Sequence, residues 1–333
     1  MPPLWVDRPP APELVDTMRA RAHRIAARRA RRAARLGYWR LANYPHMHLA
    51  AAAVLFAGTA ALMLMPHSDS TSTAALDVAG IERGLGPIGH MVGSAYHVSL
   101  PRYDLTVHVQ GVPVQPELAL ETRVLFWGGR HRATADGELV MTEPEVAAAV
   151  RRLTQTGFEV TDMHLHPPAA VPAIVHVHVR KQGDPHELAR HLREVLIVTG
   201  TPLQAPQDDA VAPHPIFDRV RQALDREVQA VGQVLHISVS SNGDEPVGPP
   251  TEVRVQPGDP GTVIAAADFV VPDRLVSALS KVLTDGGATL TGLSPIPASQ
   301  GSDHLYRLHA WMQGTADKTL PALKSSLRLL DGR

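Results

Sequence analysis

A chain of 333 residues, 44% of them apolar, is long enough for two domains of ordinary size. It has no cysteine, which excludes disulfides, thiolate metal sites, a cysteine nucleophile and an acylated lipobox cysteine. The net charge of −1 conceals a split between +7 over residues 1–66 and −8 over 67–333, a pattern that implies two environments and no nucleic-acid partner.

Residues 1–48 are arginine-rich, with nine arginines and no acid between Met18 and His48. An uncharged run from Leu49 to Met65 follows, and as a helix it reaches roughly 26 Å, near the short limit for spanning hydrocarbon. Retention of the arginines on the cytoplasmic side predicts a single-pass anchor over 49–66, touching membrane lipid, with the bulk of the chain outside the cytoplasm. Cleavage after small residues near Ser72-Thr73-Ala74 is the competing reading. Residues 67–75 read as a spacer.

The remainder contains an internal repeat, a first copy over 76–199 and a degenerate second copy over 216–333, joined by a linker at 200–215. Shifting the chain by 130 places Glu138, Val146, Leu153, Gly157 and Thr161 on Asp268, Val276, Leu283, Gly287 and Thr291. After one inserted residue, His178, Gln182 and Leu192 fall on His309, Gln313 and Leu323.

Within copy 1, Ala95–Leu100, Leu105–Val109 and Thr122–Trp127 alternate as strands, followed by a short strand at Glu138–Met141. Thr142 and Glu145 form a Thr-x-x-Glu capping box for a helix that Gly157 ends. Strands at Phe158–His166 and Ala173–Arg180 come next. Asp184-Pro185-His186-Glu187 then starts a second helix. The expected fold class is α+β: two related repeats, each an antiparallel or mixed sheet with helices on one face, preceded by a transmembrane helix.

The stretches Tyr96-His-Val-Ser-Leu-Pro-Arg-Tyr-Asp-Leu, Gly137-Glu-Leu-Val-Met-Thr-Glu-Pro-Glu-Val and His164-Leu-His166 resemble the LppY/LpqO family. The resemblance covers roughly 78–200 well and 216–330 faintly. It implies a bacterial envelope location and a repeated domain of unassigned function, and supplies no reaction. Arg102 and Asp104 fit the family pattern, whereas Glu138 replaces an aspartate and Leu165 an asparagine.

The candidate site is the pair of His-x-His strands, His164/His166 and His176/His178. Residues two apart on a strand share a face. A hairpin whose paired residues sum to 342 sets His166 opposite His176, His164 opposite His178 and Asp162 opposite Arg180. The other face then carries Met163, Leu165, Val175, Val177 and Val179, ready to pack under helices. These four imidazoles are candidate ligands for a divalent transition metal, zinc foremost. Arg102, Asp104 and Glu138 are candidates for a carboxylate or anion clamp at the same face. A metal-free ligand surface and plainly solvated histidines are the alternatives.

Copy 2 keeps only His309, with Ser294, Ile296 and Arg307 at the other histidine positions, and so reads as a structural partner without a site of its own. Three functions compete. One is an envelope binding or sensor module, one a metal-dependent hydrolase with Glu138 or Asp104 as base, and one a structural envelope protein.

Overall fold

The computed structural model describes residues 75–203, 214–239, 250–296 and 304–331. The arginine-rich segment, the proposed anchor at 49–66 and most of the linker lie outside them. No helix among the described residues is long and apolar enough to cross a membrane.

The first half runs α1 (Val78–Leu85), β1 (Gly89–Val92), β2 (Ala95–Pro101), β3 (His108–Val109), β4 (Val112–Pro113), α2 (Pro116–Ala119), β5 (Glu121–Gly128) and β6 (Ala133–Thr142). It continues with α3 (Glu143–Thr156), β7 (Glu159–Leu165), β8 (Ala170–Val171), β9 (Ile174–Gly183) and α4 (Pro185–Val198). The second half runs α5 (Ile216–Leu224), β10 (Gln229–Val231), β11 (Val234–Val239), β12 (Thr251–Pro257), β13 (Thr262–Pro272), α6 (Asp273–Asp285), β14 (Thr289–Pro295), β15 (Leu305–Thr315) and α7 (Ala316–Leu330). The class is α+β. Two six-stranded antiparallel sheets follow the same path, β1-β2-β5-β6-β9-β7 in one and β10-β11-β12-β13-β15-β14 in the other. A small sheet of β4, β3 and β8 sits beside them. Of the expected strand Leu105–Val109 only His108–Val109 forms, because its partners β4 and β8 are themselves two residues long.

Local signals explain the helix boundaries. Glu145 accepts from the Thr142 backbone N–H at 2.7 Å, and Gly157 closes α3 in a left-handed conformation with φ 74°. Asp184 accepts from Glu187 N at 3.1 Å, with Pro185 at the first helical position.

Alternation along the strands divides each sheet into two faces. In the first sheet Val124, Phe126, Leu139, Met141, Val175, Val177 and Val179 pack under Ile81 and Leu85 of α1, Ala149 and Leu153 of α3, and Leu188 and Leu192 of α4. In the second, Val253, Phe269, Val271 and Leu308 pack under α5, α6 and α7 in the same way. Helices therefore cover the outer faces, and the inner faces meet. One part of that meeting layer is apolar and joins Val140 and Ile174 to Ile264, Ala266 and Trp311. The rest is polar and buried.

Two expectations are corrected at β7. Its register with β9 sums to 340 beyond a bulge between Val160 and Asp162, so His164 faces His176 and Asp162 faces His178. The hairpin closes at Leu165/Val175, with His166 N–H donating to Ile174 O at 3.2 Å, because the connection leaves to pair β8 with β3. A slip of two residues keeps every side chain on its expected face. Arg180 stands opposite Glu159 and pairs instead with Asp136, at 3.2 Å. Met163 and Leu165, expected in the core, are 44% and 58% exposed because β7 is an edge strand.

Candidate metal centre

The inner faces of β6, β7 and β9 bring Glu138, His164, His166, His176 and His178 onto one surface. That surface is not solvated. Apart from His164, every one of these side chains belongs to a residue at most 5% exposed, and His164's own side chain is only 6% exposed. The cover is the equivalent face of the second half, from which His309 approaches His164 to 4.1 Å and His178 to 4.9 Å between ring centroids.

Glu138, His164, His178 and His309 each offer a ligand atom, and the four atoms lie within 4.8 Å of one another. Nε2 of His164, His178 and His309 is buried in each case with no hydrogen-bond partner. His178 Nε2 lies 3.1 Å from Glu138 Oε1, outside hydrogen-bond alignment. That distance is close to the roughly 3.3 Å edge of a tetrahedron with metal–ligand bonds of about 2.0 Å. Nδ1 of His164 lies 3.1 Å from Asp162 Oδ2, and Nδ1 of His309 lies 2.6 Å from Asp268 Oδ1. A carboxylate on Nδ1 fixes the proton there and leaves the Nε2 lone pair directed inward, as in carboxylate–histidine–metal arrangements.

Four members of the expected set, His176, His166, Arg102 and Asp104, fall outside this group. His176 gives Nδ1 to Glu138 Oε1 at 2.8 Å and Nε2 to the Ala119 carbonyl at 3.0 Å, so it has no lone pair to offer and orients Glu138 instead. His166 turns Nδ1 to Thr291 Oγ1 at 2.9 Å and packs edge-on against Trp311. Arg102 and Asp104 take no part. The buried Arg102 guanidinium binds Asp104, Glu145 and the Val140 carbonyl at 2.9–3.2 Å, and so clasps the end of β2 to β6 and the start of α3.

Electrostatics hold the His178 ring neutral and the Glu138 carboxylate ionised. Burial, reinforced by the Arg307 charge, pushes His178 down to about 3, so the ring is neutral at neutral pH. Burial and the neighbouring His176 hold His166 well below the usual imidazole range. Burial raises the Glu138 carboxyl, but His176 and His178 outweigh it and keep the group well below the usual carboxylate range. Asp162, raised by burial and lowered more by His164, lies at about 2.

Arginines join the halves around this centre. Arg123 Nη2 reaches Glu138 at 2.7 Å and Asp268 at 2.8 Å, while Nη1 binds Glu252. Arg307 Nη1 lies 2.6 Å from His178 Nδ1, and its Nη2 lies 3.7 Å from Asp136.

Sequence reasoning missed His309 as a site residue, although the repeat alignment already matched it to His178 and matched Asp268 to Glu138. The structure preserves both pairings, Glu138 opposite His178 and Asp268 opposite His309. Gly292, also missed, stands at the position of Asp162. A Cβ there would lie 3.1 Å from His309 and 3.2 Å from His164, tight contacts that would press on both rings, and glycine avoids them.

Residues 79–198 match a family described as Domain of Unknown Function (DUF1259). No curated protein matches the chain. Among solved structures, EtuB from Clostridium kluyveri is similar at 9% identity and TM-score 0.19, covering 74% of this chain and 90% of that one. An unknown protein from Galdieria sulphuraria is similar at 11% identity and TM-score 0.18, covering 61% and 92%. The double ringed trimeric shell protein MSM0271 from the RMM microcompartment is similar at 12% identity and TM-score 0.18, covering 62% and 85%. TM-scores this low carry no argument about assembly or activity, so what this chain does rests on its own buried centre.

Proposed function

We propose that the protein is a metal-binding module in which one divalent ion, zinc foremost, is held by Glu138, His164, His178 and His309 and cross-links the two sheets. The observation that carries the reading is the convergence of three partnerless, buried Nε2 atoms on one carboxylate. Nitrogen and carboxylate donors in a four-ligand set suit zinc, and four protein ligands make a closed site of the structural kind. A closed site has no open position for an attacking water. With Glu138 in the donor set and Asp104 clasped by Arg102, neither of the two bases expected for a metal-dependent hydrolase is available for that role.

Loading has one internal requirement. Arg307 donates to His178 Nδ1, which puts the ring proton on Nε2. For His178 to ligate through Nε2, Arg307 must release it and turn to Asp136, already 3.7 Å from Nη2.

The reading extends to the rest of the chain. The two halves are copies of one unit, and the first is kin to the LppY/LpqO type of envelope protein. The run at 49–66 anchors the chain in the membrane with its bulk outside the cytoplasm. The shared strand order supports the first statement, the sequence stretches from Tyr96, Gly137 and His164 the second, and the arginine block the third. A reporter active only outside the cytoplasm, fused after Arg333, should be active. A signal from a cytoplasm-only reporter there overturns the orientation.

The metal reading is tested on the purified full chain by elemental analysis, then by stripping with chelator and reloading with zinc or cobalt. One ion per chain and a tetrahedral cobalt spectrum are expected. Failure to retain any stoichiometric metal after reloading rejects the proposal.

A further inference from the structure

The first two strands carry a second pair of imidazoles, apart from the metal centre. In the β1/β2 register His90 stands directly opposite His97, so both side chains leave the sheet on one face with Cβ atoms about 5 Å apart. Their ring centroids lie 6.1 Å apart and the planes are tilted by 33°. Both residues line a cavity of about 560 Å³ between the halves, which also reaches Glu138 and His178. His90 is exposed and His97 half-buried, so solvent reaches the pair.

The register separates this pair from the centre. His97 lies opposite Leu125, which lies opposite Asp136, whereas the row through Glu138 runs over Arg123 to Ser99. Two strands across and two residues along put the His97 and Glu138 backbones roughly 12 Å apart. Side chains that rise side by side from a sheet do not share one ion over that distance.

The fold itself does not require two histidines here. The second half builds the same strand pair from β10 and β11, and there Gln229 stands opposite His236. Neither the His90 nor the His97 side chain makes a hydrogen bond or ion pair with a protein group among the described residues, so the ring nitrogens are uncommitted. Burial and the adjacent His90 hold His97 below the usual imidazole range, which leaves its lone pair free at neutral pH. An anion would need the protonated ring, and hard cations such as magnesium prefer oxygen ligands. A neutral imidazole pair suits a transition metal. Two rings that bind one ion through nitrogens at about 2.0–2.1 Å have centroids roughly 4.5–6.5 Å apart, a range that contains the observed separation.

We propose that His90 and His97 form a second site for a divalent transition metal, with two protein ligands and its other positions open to water. The site goes beyond the closed centre and does not depend on it. With two donors against four it is the weaker, so removal of free metal empties it and leaves the ion at the centre.

The test is calorimetric titration of the full chain, purified without a histidine tag and stripped of metal, with zinc chloride. Beyond the ion at the centre, one further ion should bind at least tenfold more weakly. His90→Ala and His97→Ala should each weaken that second binding tenfold or more and leave the first unchanged. His90 is exposed, so His90→Ala should melt like the parent chain. Magnesium chloride in tenfold excess should not displace the second ion. Absence of a second ion, a second ion that survives either substitution, or displacement by magnesium overturns the proposal. The two ions are counted separately, so such a failure leaves the centre standing. If the centre fails instead, the ion that depends on His90 is still there to be found.

Discussion

The inner strands of the two halves share registers but differ in chemistry. Around the common acid–imidazole pair, the first half carries His164, His166 and His176 where the second carries Ser294, Ile296 and Arg307. Even the bulges correspond, one between Val160 and Asp162 and the other between Leu290 and Gly292. The pair itself survives in both, as Glu138 with His178 and as Asp268 with His309. In the proposed site the first half thus supplies three donors, and the second supplies a fourth that reaches back across the layer. Where the first half needs space for His164, the second has Gly292. Where Asp136 lies buried, the second half presents Arg307. A degenerate copy can therefore be half of a site. Its substitutions make it the lid of the first face.

The largest expected effect tests that division directly. His309→Ala, in the half that carries a single histidine of the set, should lower zinc affinity more than about 100-fold, as should His164→Ala. His176→Gln should cost about tenfold, the lower range for a residue that orients a ligand. Competition with a zinc chelator measures all three. If His309→Ala keeps its affinity and His176→Gln loses it, the site belongs to the first half alone.

Cross-linking should also appear in stability. Zinc at 100 times its dissociation constant should stabilise the folded chain by about 2.7 kcal/mol. The gain, read from urea melts with and without zinc, should vanish in His309→Ala. A gain that survives in that variant would place the ion within one sheet.

Arg307 marks the clearest divergence, since it replaces the His176 equivalent and holds Nδ1 of His178. Releasing that hydrogen bond in Arg307→Gln should tighten zinc binding about tenfold, if the bond is of the usual strength for a charged donor. Weaker binding would mean that Arg307 supports the site rather than opposing it.

Much of this architecture was legible in residues 138–198. Thr142, Glu145, Gly157, Asp184 and Pro185 mark helix ends by local chemistry, and local chemistry is what a sequence states most directly. The face assignment of the histidines was legible for a similar reason, because alternation survives a two-residue error in register. What was hidden is non-local. Nothing near His176 in sequence announces the Ala119 carbonyl that occupies its Nε2, and nothing near Arg102 announces Glu145. That the two polar faces close on each other follows from the packing of halves more than 100 residues apart. The alignment of His309 with His178 was the available clue.

The smallest expected effect concerns the opposite face of the same hairpin, where period-two alternation promised a continuous apolar surface. Val177 and Leu165 both point to the helix side of the first sheet, but only Val177 is covered. It is fully buried in the interior strand β9, whereas Leu165 on the edge strand β7 is 58% exposed. Burial rather than hydrophobicity sets the cost of a substitution, because a side chain already in water has little transfer free energy to lose. Leu165→Thr should therefore change unfolding free energy by less than about 0.5 kcal/mol, the range for exposed sites. Val177→Ala should cost about 1–3 kcal/mol through lost contacts and an unfilled cavity. Threonine keeps good strand propensity, so a larger loss at position 165 could not be assigned to the backbone. Urea melts of the two variants decide the matter. A Leu165→Thr penalty equal to that of Val177→Ala would mean that something covers the β7 edge in the folded protein.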